Sequence, residues 1–159
     1  MTAVGQPVES LMVQGGSVPL VVDIDIEPAS VLLSTISTAP TVLEIGVAPD
    51  QSDVGITFGQ FNLSGVAWLG LEFALTGAVF AELPSLSSGG LTATSTPTNG
   101  MFAYLPHPVG VGGSSFVDVA LDFGGSPSGT LTVTPIVPEP VTAGWLLLAT
   151  LLLGGRRAG

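Results

Sequence analysis

The sequence predicts an all-β chain: an antiparallel, jelly-roll-like β-sandwich over residues 18–136, then one short hydrophobic helix at the C-terminus. Three observations lead there. Apolar and polar residues alternate with period two in segment after segment, which sets one face of each strand in a core and the other in water. Turn-forming residues separate these segments at a spacing of roughly 8–12 residues, drawn from 22 Gly and 13 Pro in a chain of 159. No internal stretch shows the helical period that a βαβ unit needs. Apolar residues reach 46%, enough for a sizeable core and too many for a chain disordered by low hydrophobicity.

The elements follow in order. Residues 1–17 are expected to lie outside the sandwich. In Val22-Asp23-Ile24-Asp25-Ile26-Glu27 aliphatics take one face and carboxylates the other. Strands are next expected over 31–36, 42–47 and 54–63. In the last of these the apolar parity changes between Phe58 and Phe61, which suggests a bulge at Gly59. Residues 66–75 carry an apolar stripe of Leu69, Leu71, Phe73 and Leu75, with Trp68 and Glu72 opposite. Residues 89–99 suit a long loop, and 101–105 a further strand. Val117, Val119, Leu121 and Phe123 share a face opposite Asp118 and Asp122, and Leu131 and Val133 alternate with Thr130, Thr132 and Thr134. Leu71, Phe73, Leu121 and Phe123 are therefore expected in the core. The separators are turn material: Glu27-Pro28, Ala39-Pro40, Pro49-Asp50, Asn99-Gly100 and Gly124-Gly125.

The charge balance excludes whole classes of partner. Twelve acidic residues face two basic ones, and residues 1–155 contain no Lys or Arg. A body without cations cannot neutralise phosphates, so nucleic acid is not a partner. It forms no internal Lys or Arg salt bridges either, and its stability comes from apolar burial and backbone pairing. With no Cys, disulfides and thiolate chemistry are absent.

The C-terminal tail is the most specific part of the chain. Residues 137–159 run from Val137 through Pro138-Glu139-Pro140 and a Leu-rich segment to a Gly pair and Arg156-Arg157. The prolines keep the motif extended and outside any sheet, and Pro140 suits the first turn of a helix with Glu139 at its positive end. The segment 141–155 would span about 22 Å as a helix, short of the roughly 20 residues a comfortable membrane crossing takes. Trp145 suits one interface, and the arginines mark the opposite end as cytoplasmic, with the body outside.

This order of motif, short apolar segment, basic pair and chain end resembles the PEP-CTERM sorting signal of Gram-negative bacteria. The resemblance covers the tail alone. It implies recognition of Pro138, Glu139 and Pro140 by exosortase, an intramembrane cysteine protease, with Arg156 and Arg157 as the stop to translocation. The hydrophobic tail is then an address that is removed or exchanged rather than a lasting anchor. The family also implies an export signal. Residues 1–16 lack a basic n-region, and Glu9 and Gln14 interrupt their only apolar stretch. Two expectations follow: Met1 lies downstream of the true start, the favoured one, or export takes another route.

Other candidates are weaker. His107, the only histidine, sits between two prolines with no Gly-x-Ser-x-Gly elbow anywhere, which suits a solvated loop rather than a triad. Asp23, Asp25 and Glu27, along one strand face, are candidate calcium ligands, though no calcium-loop pattern accompanies them. Trp68 is a candidate stacking platform for a sugar, and Asn62-Leu63-Ser64 matches a glycosylation sequon. The expected protein is a non-enzymatic, cofactor-free structural protein of the cell surface or exopolysaccharide matrix. The alternatives are a carbohydrate-binding module and a small secreted hydrolase.

Overall fold

The computed structural model describes residues 8–49, 53–82, 85–86, 91–95, 98–103 and 108–138, with the backbone alone at 85–86, 91–95 and 99–103. In chain order the strands are β1 (Val8–Gly15), β2 (Ser17–Asp23), β3 (Ala29–Thr35), β4 (Thr41–Val47), β5 (Asp53–Asn62) and β6 (Gly70–Thr76). They continue with β7 (Val79–Phe80), β8 (Ser85–Leu86), β9 (Leu91–Ser95), β10 (Asn99–Ala103), β11 (Ser114–Asp122) and β12 (Ser128–Ile136). They form two sheets, ordered β1-β4-β12-β6-β10-β9 and β2-β3-β5-β11-β7, with β8 also on β11. The described part of the chain is all-β and sandwich-like, as the alternation predicts, with no helix in it. The helix expected over 141–155 lies outside them.

Alternation builds the core. β3, β4 and β11 bury every second residue, so Val31 and Leu33 face inward from one sheet with Val117, Val119 and Leu121, while Leu43 and Ile45 face them from the other. Leu71 and Phe73 on β6 and Leu131 and Val133 on β12 complete the facing layer. Phe58 and Phe73 meet edge-to-face across the sheets, with ring centroids 6.4 Å apart and planes at 76°. Leu71, Phe73, Leu121 and Phe123 are all buried, as expected.

One pair departs from the antiparallel rule: β3 runs parallel to β5, from Ala29↔Ile56 to Thr35↔Asn62. Parallel neighbours need a crossover, because a hairpin reverses the chain. Here β4 supplies it, by crossing to the facing sheet and pairing there with β1 and β12.

Several expectations are corrected. Residues 8–15 form β1 and Ser17 opens β2, so part of the segment expected outside the sandwich belongs to it. The chain passes from β1 in one sheet to β2 in the other at Gly15-Gly16. Gly15 has φ +95°, and a Cβ there would collide with the Pro40 carbonyl oxygen. No bulge interrupts β5 at Gly59: the β11 register runs unbroken from Ser114↔Phe61 to Asp122↔Asp53. The apolar parity changes while the backbone does not, because Gln60 and Asn62 continue the inward face as buried polar residues. Gly59 lies beneath Leu32 and Phe116, which a Cβ would meet at 2.8 Å. Residues 22–27 are not one strand, since β2 ends at Asp23 and the Asp25 N–H turns back to Asp23 Oδ1 at 3.0 Å. The loop expected over 89–99 contains β9.

β12 is the last strand and lies between β4 and β6. Its pairing with β4 stops at Val133↔Thr41, while that with β6 continues to Ile136↔Gly70. Pro135 therefore falls where the strand has a single neighbour, the position in which a missing N–H is tolerated.

Candidate functional site

The described chain ends just past β12. β12 carries the backbone to Ile136, whose carbonyl accepts from the Leu69 N–H at 2.7 Å. Val137 is half-buried against the core, and Pro138 is exposed. Pro138, the first residue of the Pro-Glu-Pro sequence, thus stands two residues beyond the last paired one. Glu139, Pro140, Arg156 and Arg157 lie outside the described residues, as does His107.

Trp68 does not present a stacking face. It is fully buried, in the loop between β5 and β6, where it forms an isolated bridge with Val109. Its backbone N–H donates to the Val109 carbonyl at 2.9 Å, and its indole Nε1–H donates to Ser64 Oγ at 3.1 Å. The sequence-based face assignment fails because β6 starts only at Gly70. The residues before it do not continue its pleat, so period two does not carry back to position 68.

Asn62 organises this corner and was read only as part of a sequon. It is fully buried, and its Nδ2 donates to the Val66 and Val109 carbonyls at 2.8 and 3.0 Å. Its Oδ1 accepts from the Ser64 N–H at 3.1 Å and from Ser64 Oγ–H at 2.7 Å. An amide so engaged and enclosed is a structural clamp, not a modification site. The signal that could have found it is an Asx-x-Ser turn after a strand end.

A second buried polar group joins the two sheets near the β1–β2 crossing. Ser17 Oγ lies 2.8 Å from Thr35 Oγ1 and 2.7 Å from Thr41 Oγ1, and Gln60 Nε2 donates to Thr35 Oγ1 at 3.0 Å. Gln60 Oε1 is buried without a hydrogen-bond partner. Among the described residues no acid or histidine joins the cluster, and its hydroxyls tie Ser17 and Thr35 of one sheet to Thr41 of the other.

The acidic candidates do not converge. Asp25 and Glu27 are exposed in the bend after β2 and Asp23 is half-buried. Among the described residues no three His, Cys, Asp or Glu side chains are placed to hold a metal ion. Asp118 accepts from Thr57 Oγ1 across the strand pair at 2.9 Å, and Asp122 Oδ1 accepts from the Gly124 N–H at 2.8 Å. A surface depression of about 380 Å³ opens over β1, β4 and β12, lined by Ser10, Met12, Glu44, Thr76 and Thr130 around Gly46, Gly77 and Gly129. Its exposed lining is mostly apolar, with hydroxyls and one carboxylate at its margin and no cation to hold an anion. Comparisons with protein-family models, with curated proteins and with solved structures return no match, so the site stands on its own residues.

Proposed function

We propose that this chain is an exported structural protein of the cell surface or exopolysaccharide matrix, delivered by a PEP-CTERM tail that exosortase reads. The tail carries the reading: Pro138-Glu139-Pro140, the apolar segment 141–155 and Arg156-Arg157 in that order. In this reading residues 141–155 form a short membrane helix with marginal residence in the bilayer. Arg156 and Arg157 stay on the cytoplasmic side, and the body, a jelly-roll-like sandwich, lies outside.

The exit from β12 supports it. A protease groove takes an extended, unpaired peptide, and the backbone pairing of the body ends at Ile136, before Pro138. Prolines at 138 and 140 keep the motif from extending the sheet or entering a helix. The body is treated as non-enzymatic. Its described polar clusters, at Ser17-Thr35-Thr41-Gln60 and at Asn62-Ser64, are engaged in holding strands and loops together.

The test is expression of the chain behind a working signal peptide, in a host with and without exosortase. Mass spectrometry is expected to find a surface or secreted form lacking Arg156 and Arg157 only when the protease is present. Glu139→Ala, or both arginines changed to Ser, is expected to leave the precursor uncut. An intact C-terminus retained in the membrane of both hosts would make the tail a simple anchor and end the sorting proposal.

A further inference from the structure

β2 is largely exposed: five of its seven residues face solvent, against the strict alternation of β3 behind it. Its outer-face residues Val18 and Val21 are 48% and 50% exposed, and Leu20 in its bulge 53%. Even Val22, paired with the inward residue Val31, is 39% exposed, so β2 overhangs the sandwich with apolar side chains on both faces. Beside it, among the described residues, β1 is the free edge of the other sheet, with Met12 57% exposed and Leu11 and Val13 only partly buried against the core. Both edges lie on one flank, because β1 and β2 are consecutive and in contact.

We infer that this flank is where two copies of the chain associate, with β1 pairing antiparallel to β1 of the second copy and the overhanging β2 strands covering one another. Three observations select that occupant. Residues 10–22 carry no charge, whereas the whole chain carries −10. Two such chains repel everywhere else, and a basic partner would be drawn to the carboxylates rather than here. A free strand edge also presents unpaired N–H and C=O groups, which another strand satisfies and a lipid tail cannot. Finally, β1 is the edge fit to pair: from Ser10↔Gly46 to Gly15↔Thr41 its register with β4 is unbroken, and it contains no proline. β2 has Pro19 and a register shift beside it, which blunt its own edge. Lysines commonly guard exposed edges, and none is present to guard this one.

The absence of cysteine makes the test direct. Single cysteines are placed in the full chain at Ser10, Met12 and Gln14 on β1, and at Thr134 on β12 as a distant control. Each protein is treated with a short bismaleimide. Antiparallel pairing about a two-fold axis brings copies of one β1 position together, so cross-linking should peak there, weaken at its neighbours and be lost at Thr134. Adding salt should increase it, since screening relieves repulsion between like-charged chains. Val21→Asp should abolish it by setting two carboxylates against each other, whereas Val111→Asp, in an exposed turn, should not. Association through the C-terminal tail would cross-link every position alike. That result, or no β1 cross-link at any salt concentration, would overturn the inference.

Discussion

β11 and β2 are both valine-bearing strands of the same sheet, yet they end in opposite environments. β11 pairs with β5 on one side and with β7 and β8 on the other, and the opposite sheet covers its inward face. Val117, Val119 and Leu121 consequently disappear from solvent. β2 pairs with β3 alone and overhangs, so Val18, Val21 and Val22 stay wet. Apolar composition sets what a strand gains by burial, but its neighbours decide whether burial happens.

The comparison can be broken most forcefully at the seam of the two sheets. Phe73→Ala or Phe58→Ala removes half of the ring pair and should cost roughly 3–5 kcal/mol in denaturant unfolding. A loss under about 1 kcal/mol would mean that the sheets do not pack through these rings. Asn62→Ala should follow, at about 2–3 kcal/mol, because the Val66 and Val109 carbonyls and the Ser64 groups lose their partner together. Faster hydrogen exchange at Trp68 and Val109 should accompany it, and unchanged exchange there would deny Asn62 its clamping role. Gly59→Ala pushes on the flexible ends of Leu32 and Phe116 and should cost roughly 1 kcal/mol. A loss equal to that of Phe73→Ala would mean the outer face is packed as tightly as the core. Smallest of all, Val22→Thr on β2 should change stability by less than about 0.5 kcal/mol, measured by thermal unfolding at dilute concentration.

Legibility in the sequence follows the same division. β3, β4, β11 and β12 could be read from their residues because each has neighbours and a facing sheet, so period two survives in the pattern of Leu131-Thr132-Val133 or Val117-Asp118-Val119. β1 was missed because Glu9 and Gln14 interrupt its apolar residues and only part of one face is covered. β7 and β8 have two residues each, too few to show any period. The parallel β3–β5 pair is set by β4 crossing between sheets, a relation no local pattern carries. Trp68 and Asn62 were misjudged for a related reason. Their burial comes from a loop folding onto Val109, 41 and 47 residues away in sequence. The Pro138-Glu139-Pro140 sequence and the Arg156-Arg157 pair stand out in another sense, through residue order alone, and owe nothing to the sheets.

β12 gives the body a mechanical character. Any pull on the chain beyond Pro138 enters through this strand, which is flanked on both sides rather than set at a rim. Tension along it would meet six paired positions on β4 and seven on β6. Drawn lengthwise between two antiparallel neighbours, those bonds share the load together instead of opening one at a time like a zip. A chain tethered by its C-terminus would therefore yield late and abruptly, with the whole sandwich resisting until its central strand slips.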